Sequence, residues 1–252
     1  MDLNQKFKDF VSSQDLYVPQ LSVDCVIFGF HQNQLKVLLV KTAGVDIWAL
    51  PGGFVEQNEG IDEAALHILK ERTGLTDIYL EQFRTFGHVD RGNPEFMKDY
   101  LNNIGIEMPD NHWIFRRFIS IGYYALVNFS LITPTPGEMT EASEWFDIKQ
   151  LPQLAFDHND IIEKALDTLK LMLDTRLNTM DRWAASLLPE TFTMIDLQNL
   201  FETILETTFH RNNFHRKMVS LELLEKLEKK FTGASNRAPY LYRFKSRIAD
   251  LT

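Results

Sequence analysis

Gly52-Gly53-Phe54-Val55-Glu56-Gln57-Asn58-Glu59, running on to Glu71-Arg72-Thr73-Gly74-Leu75, is the stretch around which this chain organises itself. The Gly-rich turn follows Trp48-Ala49-Leu50-Pro51. Downstream of it Ile61, Ala64 or Ala65, Ile68 and Leu69 recur at helical spacing. A helix is therefore expected from residue 61 or 62 up to Gly74, a natural left-handed C-terminal cap. Upstream, residues 23–28 and 35–40 are β-branched and apolar runs, and the polar link 31–34 between them predicts a hairpin. Residues 78–86 and 118–129 are further strand candidates, and 145–148 looks like a last strand. Residues 160–173 form an amphipathic helix that closes the unit. Between the middle strands, 92–116 is a polar, Pro-containing excursion, either an insertion over a pocket or a long surface loop.

After Leu187-Leu188-Pro189 the pattern changes. Thr193 is a plausible N-cap with Asp196 three residues on, and Leu197, Leu200, Phe201, Ile204 and Leu205 mark one apolar stripe. A second helix is expected over 212–224, with Phe214, Met218 and Leu221 on one face and Asn212, Asn213, Arg216 and Ser220 opposite. Arg211 and His215 flank that polar face. A run at 226–231, a turn at 232–239 and a strand at 240–244 complete the order helix, helix, hairpin, which is that of a winged helix. The expected division is a first domain over residues 1–174 and a second over 175–252.

The charge distribution sharpens this division. Net charge over the 252 residues is −9, which alone argues against nucleic acid. From Thr175 onward, however, twelve Lys and Arg stand against nine Asp and Glu, a balance of +3, leaving 14 against 26, or −12, for the first 174 residues. An acidic body with a basic second unit points to a nucleic-acid contact in the latter. The N-terminus lacks a basic flank followed by an apolar run, and no stretch approaches the roughly 18 apolar residues of a membrane helix. A cytoplasmic protein is expected. The single Cys25 lies in an apolar run and reads as inert core.

Taken together, these residues resemble the Nudix-related transcriptional regulators of the NrtR and AraR type. The likeness rests on the Leu50-Pro51-Gly52-Gly53 turn, Gly87-His88-Val89-Asp90-Arg91, Ala155-Phe156-Asp157-His158 and Leu187-Leu188-Pro189. It extends to Arg211-Asn212-Asn213-Phe214-His215-Arg216-Lys217 and the terminal Leu241-Tyr242-Arg243-Phe244. The resemblance implies an α+β protein: an α/β/α Nudix sandwich with a mixed sheet, then a small C-terminal winged helix-turn-helix domain. Against the Nudix pattern, Glu59, Leu69, Glu71, Gly74 and Leu75 fit. His67 replaces Arg, and Ile68 and Arg72 replace carboxylates of the helical cluster.

Carboxylates at i, i+3 and i+4 share one helical face and can hold Mg²⁺ or Mn²⁺ through hard oxygen ligands, which polarise a diphosphate for hydrolysis. Here that face reads Ile68, Glu71, Arg72, so no catalytic residue, metal or cofactor is expected there. The resemblance implies instead a homodimeric regulator, a repressor of a metabolic operon, that binds an inverted-repeat DNA operator and a small-molecule effector. The effector is a pentose or an ADP-ribose-like nucleotide. Candidate effector residues are Trp48, which could stack on a base or sugar, Gly52 and Gly53 of the turn, Glu56, Glu59 and Glu71 as acceptors for hydroxyls, and Asp90 and Arg91 from a loop reaching the same cleft. Candidate DNA residues are Arg211, Asn212, Asn213, His215, Arg216 and Lys217 on the helix, with Arg237 and Arg243 in the wing. The competing expectation is a hydrolase of nucleotide sugars such as ADP-ribose.

Overall fold

A computed structural model describes residues 3–74, 76, 78–91, 94–136, 140–230 and 238–245. The chain order is α1 (Leu3–Ser12), β1 (Tyr17–His31), β2 (Gln34–Thr42), β3 (Trp48–Ala49), β4 (Gly52–Glu56), α2 (Ile61–Thr73), β5 (Tyr79–Phe86), α3 (Pro94–Asn103), β6 (Ile119–Val127), β7 (Thr140–Asp147) and α4 (His158–Thr175). It continues with α5 (Met180–Leu187), β8 (Phe192–Thr193), α6 (Met194–Leu205), α7 (Arg211–Ser220), β9 (Leu224–Lys229) and β10 (Tyr240–Phe244).

Seven strands form one mixed sheet. Its path is β3-β2-β1-β6-β5, with β4 also paired to β1 and β7 to β2; β1 and β6 run parallel and the remaining pairs antiparallel. The hairpin expected from the 31–34 link is present, with His31 opposite Gln34 and Gln32 and Asn33 at positive φ. Alternation along β1 decides what each face covers. Val23, Cys25 and Ile27 point to the side of α2, where Ala64, Ala65, Ile68 and Leu69 are buried against them. Val26 and Phe28 point to the opposite side, under α4 and α5. The helix α2 ends as its sequence requires, with Gly74 at φ 74° donating its N–H to Lys70 O.

The 92–116 excursion is a roof. It carries α3 and a single 3-10 turn at Trp113–Phe115, and its own core of Tyr100, Leu101, Ile106 and Trp113 packs with Phe10 of α1 and with Tyr17 and Phe54. Trp113 Nε1 donates to Val11 O at 2.9 Å and so ties the roof to the N-terminal helix.

In the second unit the capping box is realised: Asp196 N donates to Thr193 Oγ1, and Thr193 N donates to Asp196 Oδ2. The second helix stops at Ser220, short of the expected 224, because Glu222 turns left-handed at φ 59° and Leu224 enters β9. The short strand β8 also pairs with β10, making a three-stranded wing sheet.

The segment 175–188, where the second expected domain begins, is mostly helix. α5 buries Met180, Trp183, Ala184 and Leu187, and one continuous apolar cluster runs from Val26 and Phe28 of the sheet through α4 and α5 to Leu197, Phe201, Phe214 and Phe244. Polar contacts reinforce the junction. Thr203 Oγ1 donates to Asn33 O, Asn128 Nδ2 donates to Leu188 O, and Lys149 and Lys170 both meet Glu206. Among the described residues, no helix is long and apolar enough to cross a membrane.

Candidate functional site

A cavity of about 370 Å³ lies between the sheet end and the roof. Its floor is a buried polar network. Asp24, in the middle of an otherwise apolar strand, is 7% exposed. Its Oδ2 accepts hydrogen bonds from Ser120 Oγ at 2.5 Å and Arg91 Nη2 at 2.9 Å. Arg91 also donates from Nε to Asp157 Oδ2 at 2.7 Å and from Nη1 to the Phe118 carbonyl at 3.3 Å. The guanidinium is thus a clamp joining β1, the loop after β5, the start of β6 and the N-terminus of α4. Gly52 is required beside it, since a Cβ there would lie 2.6 Å from Asp24 Oδ1 and 2.8 Å from Val23 O.

His158, the first residue of α4, is buried in the same network. Its Nδ1 accepts the Leu50 N–H at 2.9 Å, which leaves the proton on Nε2, 3.7 Å from Asp24 Oδ1. Burial pushes its pKa below the ordinary histidine value despite the opposing pull of Asp24 and Asp157. The sign of the linkage follows: between the lowered folded-state pKa and the ordinary value of about 6.5, the unfolded chain binds a proton that the folded chain does not. The stabilisation is present above about pH 6.5 and is lost as pH falls through the folded-state value. His158→Gln should therefore flatten the decline in stability as pH falls below about 6.5 in denaturant melts. Parallel slopes for variant and wild type would remove His158 as the cause.

The walls above this floor are Phe54, Ile114, Phe115 and Phe118, with Arg116 and Arg117 at the exposed rim. Arg117 Nη1 reaches the Gly87 carbonyl at 3.4 Å, and among the described residues neither guanidinium is paired with a carboxylate. An aromatic enclosure with free cations at its mouth suits a flat ring carrying an anionic group.

Of the sequence candidates, Gly52, Gly53, Asp90 and Arg91 line this cavity. Trp48, Glu56, Glu59 and Glu71 do not line it. Trp48 packs edge-on against Phe146 and accepts the Ala155 N–H on its carbonyl, so it shapes the site through the 153–155 segment. Glu59 Oε1 accepts the Glu56 N–H and closes the turn before α2. Glu71 is half exposed between His67 and Arg72. Ile68 packs toward the Gly53 backbone, whereas the Arg72 side chain, 11% exposed, does not line the cavity and keeps Nε and Nη1 buried without a hydrogen-bond partner. Asp24, Ser120, Asp157 and His158 are not among the sequence candidates for the site, although Asp157 and His158 belong to a segment that carries the resemblance. The available signal was one carboxylate inside an apolar strand run.

In the second unit, Leu197, Leu200, Phe201 and Ile204 of α6 and Phe214 and Met218 of α7 are buried. Gln198 Nε2 donates to Phe209 O while Glu202 Oε1 accepts the Phe209 N–H, which fixes the turn between the helices. Arg211, Asn212, Asn213, His215, Arg216 and Lys217 are all exposed on α7. His215 Nε2 contacts Tyr242 Oη at 3.2 Å, so its imidazole faces the wing sheet. Arg243 is exposed and paired with Glu225 at 2.7 Å. Arg237 lies outside the described residues.

Comparison with known proteins places these two units. Residues 18–167 match the NUDIX domain family, and residues 184–244 match the NrtR DNA-binding winged helix domain. An ADPR responsive transcriptional repressor of Acinetobacter baylyi is 31% identical over 250 residues, covering 95% of this chain and 88% of the relative. An ADP-ribose pyrophosphatase of Methanocaldococcus jannaschii is 30% identical over 151 residues, 58% of this chain and 72% of that enzyme. The crystal structure of Shewanella oneidensis NrtR complexed with a 27mer DNA superposes with a TM-score of 0.65 at 26% identity, covering 90% of this chain and 94% of that one. The sandwich, the capped helix pair and the wing thus occur here in the same order as in a full-length relative, and the chain belongs to the NrtR family of Nudix-related transcriptional regulators.

Proposed function

We propose that this chain is a transcriptional repressor that binds operator DNA through α7 and the wing, and that its effector is a nucleotide of the ADP-ribose kind. The observation that carries the reading is the exposed Arg-Asn-Asn-His-Arg-Lys surface of α7, joined through one hydrophobic core to the roofed cavity. Arg suits guanine edges, Asn adenine edges and Lys phosphates. The free rim cations Arg116 and Arg117 favour an anionic ligand over an uncharged pentose. A two-fold dimer on an inverted repeat fits such a reader. Effector binding lowers DNA affinity, because it favours a domain arrangement that does not fit the operator.

The pocket is catalytically silent on this reading. The face that would gather divalent metal carries Ile68 against Gly53, and Arg72 adds a positive charge beside Glu71. The likeness to an ADP-ribose pyrophosphatase supports hydrolysis as the competing reading. Release of AMP from ADP-ribose with Mg²⁺, abolished by Glu71→Gln, would establish it.

A gel-shift titration with DNA from upstream of its own operon tests the main reading. Binding is expected at about 50 mM salt, where phosphate contacts are strongest, and its absence there would sink the proposal. Arg216→Ala should weaken binding by about 1–3 kcal/mol, roughly 5- to 150-fold. ADP-ribose should release the DNA, whereas arabinose and xylose should not.

A further inference from the structure

Glu206 caps the C-terminal end of α6 with φ 52°, a left-handed conformation that a side chain disfavours and that glycine usually takes at such a position. The chain does use glycine at the end of α2. Gly74 there has φ 74°, although a Cβ would meet nothing within 4 Å. What sets Glu206 apart is what its carboxylate holds. Lys170 Nζ donates to its Oε2 at 2.8 Å, and Lys149 Nζ lies 3.4 Å from its Oε1. Both lysines belong to the first unit and Glu206 to the second, so three side chains clasp the seam.

Each lysine is carried by chain that also builds the roofed cavity. Lys149 opens the stretch 149–157, which is tied to β3 by Trp48 N–H on Gln153 O at 3.2 Å and by Ala155 N–H on Trp48 O at 2.8 Å. The same stretch supplies Phe156 to the cavity wall. Lys170 lies on α4, whose first residue, His158, lines the cavity. Between those two residues the helix rises about 18 Å at 1.5 Å per residue, and a displacement at its cavity end is carried to Lys170.

On the far side, Glu206 begins the turn that delivers α7. Its N–H and that of Thr207 both go to Glu202 O, and Glu202 Oε1 accepts the Phe209 N–H at 2.7 Å. Phe209 packs on Phe214 of α7 with ring centroids 5.5 Å apart, and His210 is the N-cap of that helix. The clasp adds little to stability, since its members are largely exposed and such pairs are screened by water. The apolar cluster holds the units together. A weak clasp above it can open without unfolding the seam, which a shift between domain arrangements requires.

We propose that Lys149, Lys170 and Glu206 are the positioning residues through which the effector cavity sets the orientation of α7 on DNA. This rests on the effector-controlled repressor proposed above and adds the contacts that carry its response. None of the three lines the roofed cavity or belongs to α7. Their loss therefore removes the coupling while leaving both binding surfaces in place.

Gel shifts of the full-length protein on the operator fragment, with and without saturating ADP-ribose, give the ratio that tests the relay. In wild type ADP-ribose should weaken DNA binding at least about tenfold, within the usual range of coupling between sites. The double variant Lys149→Ala with Lys170→Ala should cut that ratio to about threefold or less, with its Tm close to that of wild type. Glu206→Gly should cut it equally, yet melt no lower than wild type, because glycine takes the left-handed turn without strain. Reversing all three charges, Glu206→Lys with Lys149→Glu and Lys170→Glu, should restore most of the ratio. Variants that keep the wild-type ratio, or a charge-reversed protein that behaves like the alanine variant, would overturn the relay and leave the repressor reading standing. A wild-type protein that ADP-ribose does not release from the operator would overturn the effector reading and this inference with it.

Discussion

Arg91→Ala is expected to lower stability by about 3–5 kcal/mol, the cost of removing one partner from a buried ion pair. Its side chain is 7% exposed and serves two carboxylates, buried Asp24 and part-buried Asp157, which the substitution would leave side by side without their shared cation. Ser120 Oγ would still donate to Asp24, but a hydroxyl carries no charge. For a chain of this size the loss corresponds to a fall in Tm of roughly 6–20 °C. Arg91→Lys keeps the charge without the planar fork that reaches Asp24, Asp157 and the Phe118 carbonyl at once, so it should fall between alanine and wild type. Thermal melts of the three proteins measure the series. An alanine variant that melts with the wild type would mean that the carboxylates find other partners.

The second large effect is expected at Trp183. It is 1% exposed in α5, packs its ring on Phe201 at 5.5 Å, and sits in the cluster that joins the sheet to α6. Trp183→Ala should cost about 3–5 kcal/mol through lost burial and the cavity left behind. Trp183 Nε1 is itself buried without a hydrogen-bond partner. Trp183→Phe removes that unsatisfied donor together with part of the ring, and so should cost much less. Denaturant unfolding of both variants would separate these contributions. Equal losses for Ala and Phe would show that the indole nitrogen, not the ring volume, matters at this position.

The elements that announced themselves in sequence are those whose determinants are local. The Gly74 stop of α2, the Thr193–Asp196 box and the 31–34 hairpin each depend on residues a few positions apart, and each was readable. The exposed face of α7 was equally readable because its apolar anchors, Phe214 and Met218, are four residues apart. The polar floor was not. Asp24 meets Arg91 and Ser120 across 67 and 96 residues of chain, and only the parallel pairing of β1 with β6 brings Ser120 into register near it. Glu56, Glu59 and Glu71 drew attention as a spaced acidic set, yet spacing along a turn and helix does not say which way a side chain leans. The excursion 92–116 was ambiguous for a related reason, since its apolar residues pack on α1 and Phe54 rather than on each other's neighbours in sequence. α5 reads as a connector because it is short, and its role lies in what covers it from both sides.

That double burial of α5 bears on how such regulators can be cut and recombined. A chimera spliced at Leu188 would hand the incoming winged helix a foreign surface in place of Trp183 and Leu187, beneath Phe201 and its neighbours. A recombinant fragment beginning at β8 would expose to water the Phe201 face that Trp183 covers. Grafts that carry α5 with the winged helix, or that repack the sheet face beneath it, respect the seam that the molecule itself uses.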